Sequence, residues 1–199
     1  MEPLLEVKGL DCGLLTDVSL HVDAGEIVCL TGASGSGKTR LLRAIADLDP
    51  NRGHLRIAGE ARESMPAHAW RRRAGYLPSE SQWWRDSVGE HFARREDESL
   101  AALGFDPDVM HWEVARLSSG ERARLALIRL WSYRPQALLL DEPTANLDPE
   151  SAHAMERWLT DVARQGRSLL WVSHDRDQVE RVADRAFDIR KGRLWTSSR

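Results

Sequence analysis

One stretch constrains this chain more than any other. Ile27-Val28-Cys29-Leu30 is an unbroken apolar run, the pattern of a strand buried on both faces, and it leads directly into Gly32-Ala33-Ser34-Gly35-Ser36-Gly37-Lys38-Thr39. Helical spacing follows, with Leu41, Leu42, Ile45 and Leu48 on one face and Asp49-Pro50 as the stop. A strand, a glycine loop and an amphipathic helix form the setting in which G-x-x-x-x-G-K-[ST] cradles phosphate groups. The glycines let successive N–H groups point inward without a Cβ in the way. The helix adds the positive end of its dipole. Lys38 sets a cation against the β- and γ-phosphates, and Thr39 offers a hydroxyl to Mg²⁺.

The rest of the pattern supplies a sheet to carry that loop. Val18, Leu20 and Val22 alternate with Ser19 and His21, as in a strand with one buried face. Leu55-Arg56-Ile57 is a short strand closed by Gly59. Further on, the spacing predicts a strand over 137–140, a helix over 151–164, a strand over 169–172 and a helix over 178–183. A closing hairpin pairs 187–189 with 194–195 around Lys191-Gly192. Strands alternating with helices imply an α/β fold with a parallel sheet covered on both faces. The stretch 83–117 differs: it is polar, rich in charge and only briefly helical, and reads as a small helical insertion. The 199 residues fit one domain, 1–199, with a sizeable core.

The second half of a phosphate-transfer site stands at the ends of later strands. Ala137-Leu138-Leu139-Leu140 ends in Asp141-Glu142. A buried parallel strand ends over the site face of its sheet, so Asp141 reaches the Mg²⁺ shell and Glu142 orients and polarises the attacking water. His174 follows the strand ending at Ser173, and its position favours a γ-phosphate contact over a purely structural role.

Bulk properties exclude several other readings. A net charge of -3 offers nucleic acid no overall attraction, and the one basic cluster, Arg71-Arg72-Arg73, reads as solvated helix surface. No apolar run approaches the roughly 18 residues of a bilayer span. Glu2, Pro3 and Glu6 interrupt any signal-peptide core. Cys12 and Cys29 lack metal-ligand spacing, and Cys29 reads as core. A reduced cytoplasm is the expected compartment.

Five motifs in order give the chain a family resemblance. The phosphate loop, Leu117-Ser118-Ser119-Gly120-Glu121, the Leu-Leu-Leu-Asp-Glu strand, Ala145-Asn146-Leu147-Asp148 and Ser173-His174-Asp175 follow one another as in ATP-binding cassette (ABC) ATPases. The resemblance covers nearly the whole chain and implies a P-loop NTPase cassette: a parallel-sheet core, an antiparallel β subdomain and a helical insertion. It further implies ATP and Mg²⁺ as ligands and ATP hydrolysis as the reaction. Ser118, Ser119, Gly120 and Glu121 resemble the signature that closes on nucleotide held by a second copy, so a homodimer is implied. Asp148 would link the two sites, and His174 would be the switch histidine.

Two departures accompany the resemblance. Ser79 stands where the family usually has glutamine, so either Glu80 or Gln82 takes its Mg²⁺ and coupling duties or that contact is missing. Residues 10–15 hold no aromatic side chain for adenine, which leaves aliphatic ones.

A single cassette resembles a transporter subunit working with a separate integral membrane permease, peripheral on the inner face of the membrane. The short insertion and 170–175 look similar to small exporter-type cassettes, some tied to metal-ion export. The alternative is a soluble ABC ATPase acting on protein or nucleic acid without a permease. Trp83 and Trp84 open the insertion, where this family receives its membrane partner, with Trp70 and Trp112 in the same stretch. On a helix, neighbours diverge by about 100°, so at least one of the adjacent pair is expected to be exposed.

Overall fold

The protein is described by a computed structural model over residues 3–196. Two sheets form. The smaller is antiparallel, in the order β2-β1-β4-β5, from β1 (Leu5–Asp11), β2 (Val18–Val22), β4 (Arg52–Ile57) and β5 (Glu60–Ala61). In β2, Val18, Leu20 and Val22 are buried while Ser19 and His21 face out, as the alternation requires. The larger sheet has six strands. β3 (Ile27–Gly32), β6 (Ala74–Leu77), β7 (Ala137–Asp141), β8 (Ser168–Val172) and β9 (Arg185–Arg190) run parallel, and β10 (Arg193–Thr196) pairs antiparallel with β9. Their order is β10-β9-β3-β8-β7-β6, which sets β3, β8 and β7 side by side.

The continuous apolar runs sort their side chains to opposite faces. Ile27, Cys29, Leu138, Leu140, Leu169 and Trp171 enter one cluster with α4 (Ser119–Trp131) and α5 (Pro149–Arg164). Val28, Leu30, Leu139, Leu170 and Val172 enter another, with α1 (Lys38–Ile45), Trp70 of α2 (Ala67–Arg73) and the antiparallel sheet. Full burial of one such aliphatic side chain is worth roughly 1.5–3 kcal/mol, and both faces gain it. Cys29 is fully buried, and burial pushes its thiol up to about 12, as suits a core residue.

The structure refines three sequence expectations. The helix after the phosphate loop ends at Ile45, short of Asp49-Pro50. Asp47 turns left-handed at φ 58, and the Trp70 indole N–H donates to the Ile45 carbonyl at 2.8 Å, taking one of the open carbonyls at the helix end. Leu48 therefore leaves the buried face and is 42 % exposed. Second, the closing hairpin forms as β9 and β10, and β9 also pairs parallel with β3 and so extends the main sheet.

Third, the stretch 83–117 is briefly helical, as expected, and mostly through 3₁₀ turns. It holds one α-helix, α3 (Asp97–Ala102), and three 3₁₀ turns at Gly89–His91, Pro107–His111 and Val114–Arg116. Leu100, Leu103, Val109 and Leu117 belong to the same cluster as Leu138 and Leu140.

Trp83 and Trp84 lie in irregular chain, so the helical-face argument does not apply, yet one of them is exposed. Trp84 is 67 % accessible and Trp83 packs against the core cluster. Between them sits the buried ring of His91, with centroids 4.8 Å from each indole. The His91 Nε2 accepts from the backbone N–H of Trp84 and of Arg85, both at 3.0 Å, and its Nδ1 faces the Ser87 carbonyl at 3.0 Å. Two backbone donors fix Nε2 as the acceptor, so the ring proton sits on Nδ1. Trp70, grouped with these residues by sequence position alone, is in fact fully buried in the other cluster.

Candidate active site

The loop between β3 and α1 is shaped by its glycines. Gly37, at φ 105, precedes the first helical residue, Lys38, and a Cβ there would meet Leu15 at 3.2 Å. Gly32, at φ 141, would drive a Cβ to 2.9 Å from the Ile189 carbonyl. The backbone angle disfavours a side chain at both positions, and at Gly32 the space excludes one as well.

Lys38 is 6 % exposed, and its ammonium donates to the carbonyls of Gly32 at 2.9 Å and Ala33 at 3.0 Å. Burial pulls this ammonium below its ordinary value, against the opposing pull of the Glu142, Asp141 and Asp188 carboxylates. The Ser36 hydroxyl is buried without a partner among the described residues. A shielded cation held by loop carbonyls and an unused hydroxyl fit an arriving polyanion. Ala33, Ser34, Gly35 and Thr39 are exposed around them.

The acids arrive from the neighbouring strands. Asp141 ends β7, is 3 % exposed and accepts from the Tyr76 hydroxyl at 3.2 Å. Burial and the adjacent Asp141 charge raise the Tyr76 phenol above its ordinary range, so it remains a donor. Glu142 takes φ 50, a left-handed angle held by its N–H bond to the Val172 carbonyl at 3.1 Å. Left-handed backbone at a non-glycine residue is strained, and such strain gathers where side-chain aim matters. Here it brings the Glu142 Oε1 to 3.0 Å from the His174 Nε2.

A cavity of about 1070 Å³ opens beside the loop, lined by Gly32, Ala33, Ser36, His174, Asp188 and Lys191 among others. A second, of about 480 Å³, runs from Glu142 and His174 past Leu147 toward Gln178. Glu142, His174, Lys38 and Asp141 are thus gathered at the ends of three adjacent parallel strands.

The remaining candidates lie elsewhere. Ser118 caps α4 by a reciprocal pair: its hydroxyl accepts from the Glu121 N–H at 3.2 Å, and the Glu121 carboxylate accepts from the Ser118 N–H at 2.8 Å. Gly120 lies beside Leu147, 3.5 Å from where its Cβ would be, so the Ser118–Glu121 turn and the 145–148 loop share one face. Ser118, Ser119, Gly120 and Glu121 line neither cavity. Asp148 caps α5 through the Ser151 N–H at 2.9 Å.

Glu80 and Gln82 are both exposed, and neither lines the two cavities. Sequence reasoning missed Tyr76, Asp188 and Gln178. Tyr76 carried a signal, since it lies on the strand paired with β7. A lone Gln four residues after His174 carried none. No group of three or more His, Cys, Asp or Glu side chains among the described residues forms a complete metal cage.

Comparison with known proteins agrees with this fold. A family model described as "ABC transporter" matches residues 15–145. The chain is 35 % identical over 201 residues to the Fe(3+) ions import ATP-binding protein FbpC of Streptomyces coelicolor, covering 92 % of this chain and 57 % of that protein. It is 32 % identical to the sulfate/thiosulfate import ATP-binding protein CysA of Mesorhizobium japonicum, covering 90 % of this chain and 57 % of that protein. The chain thus spans a little over half the length of these relatives.

Among solved structures, one titled "Structure of ATP binding subunit of ABC transporter" superposes with TM-score 0.89 at 26 % identity, over 98 % of this chain and 90 % of that one. An ATP-bound bacterial Atm1-family ABC exporter gives TM-score 0.82 at 25 % identity, over 96 % of this chain and 38 % of that one. The sequence relatives named here are import proteins, so the exporter and metal-ion export expectations draw no support from them. Strand order, the strand-end acids and these matches lead to one conclusion: the chain belongs to the ABC transporter family, whose ATPase cassette it carries.

Proposed function

We propose that this chain binds ATP with Mg²⁺ at the phosphate loop, closes on a second copy of itself, hydrolyses the nucleotide and so drives a separate integral membrane subunit. The observation that carries the reading is the convergence of Lys38, Asp141, Glu142 and His174 at adjacent ends of β3, β7 and β8. Gly32 to Lys38 hold the phosphates, with Lys38 turning from the loop carbonyls to the γ-phosphate. Thr39 and Asp141 suit Mg²⁺, which bonds few protein oxygens and completes its shell with phosphate and water. The absence of a full protein cage among the described residues is compatible with that habit. When bound, Mg²⁺ neutralises charge on the phosphates. Glu142 takes the water's proton, and His174, hydrogen-bonded to Glu142, steadies it and faces the γ-phosphate.

The position of Ser118 to Glu121, away from both cavities, supports their use by a second copy. Asp148, one residue beyond Leu147, shares that face and lies next to the join. Among the described residues no helix is long and apolar enough to cross a membrane, so the solute path belongs to the partner in this reading. A position on the inner face of the membrane follows from such a partner. No observation favours the soluble-assembly alternative, since the relatives above are named as ATP-binding proteins of import systems.

The test has two arms. The purified chain should release phosphate from ATP only with Mg²⁺. From detergent-solubilised membranes it should bring down a polytopic protein. Absence of Mg²⁺-dependent hydrolysis overturns the enzymatic reading, and recovery with only soluble proteins overturns the transport reading.

A further inference from the structure

Beyond the strand ends lies a buried polar network that hydrolysis as described does not use. Its centre is Gln178 on α6 (Arg176–Val182), 4 % exposed. Its Oε1 accepts from the Ser173 hydroxyl at 2.8 Å, one residue before His174. Its Nε2 donates to the Thr144 hydroxyl at 2.8 Å, two residues after Glu142. The same nitrogen donates to Glu156 of α5 at 2.8 Å. Ser173 and Glu156 are themselves only 4 % and 6 % exposed.

The orientation of this amide is not arbitrary. An ionised carboxylate can only accept, so Nε2 must face Glu156 and Oε1 must face Ser173. Arg181 grips Glu156 with two nitrogens at 2.9 and 3.2 Å and keeps it charged. Asp175 closes the circuit: its carboxylate accepts from the Gln178 N–H at 3.2 Å, and its own N–H donates to the Ser173 hydroxyl at 3.1 Å.

A helix-fastening role needs none of the contacts to Thr144 and Ser173; the Arg181–Glu156 pair already ties α6 to α5. The extra bonds join the two loops that leave β7 and β8 and carry the Glu142–His174 contact. We propose that Gln178 is a positioning residue for hydrolysis: its carboxamide fixes the Glu142 loop and the His174 loop relative to each other. Nucleotide grip by Lys38 and the phosphate loop is independent of it. This rests on the catalytic reading of Glu142 and His174 above.

The experiment compares the parent chain with Gln178→Leu, Thr144→Val and Glu142→Gln, measuring ATP affinity, KM, kcat and Tm. Gln178→Leu and Thr144→Val should each lower kcat by about tenfold, a change of ~1.4 kcal/mol in the barrier, with ATP affinity within about twofold of the parent. Because each breaks the same link, the double variant Gln178→Leu/Thr144→Val should lose little more than either alone. A purely structural role predicts a lower Tm with kcat retained in the folded fraction, and that result overturns the proposal. So does a loss of ATP affinity that accounts for the whole fall in kcat/KM. If Gln178→Leu fails to fold, Thr144→Val, with its isosteric side chain, decides the matter alone. A Glu142→Gln chain that keeps its turnover overturns the catalytic reading instead. A dead Glu142→Gln chain beside fully active Gln178→Leu and Thr144→Val chains overturns only the positioning role.

Discussion

Replacing Glu142 by Gln separates chemistry from structure at this site. The amide has the carboxylate's shape, tolerates the same left-handed backbone as any side chain of this length, and leaves the N–H bond to the Val172 carbonyl untouched. His174 still finds a polar atom at the position now 3.0 Å from its Nε2. What disappears is the ability to take a proton from water. A general base is worth about 10²–10⁴ in rate, so kcat should fall at least about a hundredfold, or ~2.7 kcal/mol at 1.36 kcal/mol per decade. ATP binding should persist, because Lys38 and the loop N–H groups are unchanged, and the nucleotide should accumulate in a closed dimer. The assay is phosphate release under saturating ATP, with gel filtration in ATP and Mg²⁺ to detect the dimer. Turnover above about a tenth of the parent would refute the base assignment, since it lies outside the range expected for such a group.

Other outcomes follow from the same geometry. Lys38→Ala should weaken ATP binding by tenfold or more even without Mg²⁺, since charge-assisted hydrogen bonds contribute about 1.5–3 kcal/mol; unchanged titration curves would reduce the loop to a structural turn. Hydrolysis should rise faster than linearly with protein concentration, and a Lys38→Ala chain mixed with a Ser118→Arg chain should regain one working site; strictly linear kinetics with no rescue count against a shared site. Trp84→Ala should leave ATP binding intact and cost about 2 kcal/mol in binding a membrane subunit, as an exposed aromatic anchor does; full retention of the partner in a pull-down excludes that role.

Acid stability gives a further check. Burial alone would raise the Glu156 carboxyl, but the bonds from Arg181 and Gln178 outweigh it and hold it below its ordinary value of 4.5. A depressed acid adds stability above its unfolded value and loses it as pH falls through the folded one. Urea midpoints should therefore drop below pH 4.5, less steeply in Glu156→Gln than in the parent. Parallel slopes would show that Glu156 gains nothing from its partners.

The fold was legible wherever one signal settled the structure. The apolar runs at Ile27–Gly32, Ala137–Asp141 and Ser168–Val172 admit one reading because their length suits strands and their ends carry loop residues. The phosphate loop was legible because glycine, lysine and threonine each answer a separate physical demand. Helix ends were less so: the Trp70 indole that meets Ile45 comes from 25 residues away, and periodicity cannot register it. The 83–117 stretch showed its brief helical pattern but not its packing. Its apolar residues, held by α3 and by 3₁₀ turns, pack on the main core, with His91 ordering the tryptophan loop. Within the site, Asp141 was visible because it ends a strand, and Glu142 and His174 because they closely follow strand ends. Gln178 was not, because its importance lies wholly in the four side chains it meets.

The alternation that sends Ile27 and Cys29 to one side of the sheet and Val28 and Leu30 to the other also divides what selection can alter. The cradle's helix α1 and the antiparallel sheet draw on one cluster; α4, α5 and the 83–117 stretch draw on the other, and the strands of the main sheet feed both. Substitutions far apart, with no shared partners, add nearly independently. A change at exposed Trp84 therefore leaves the packing of α1 and the phosphate loop untouched.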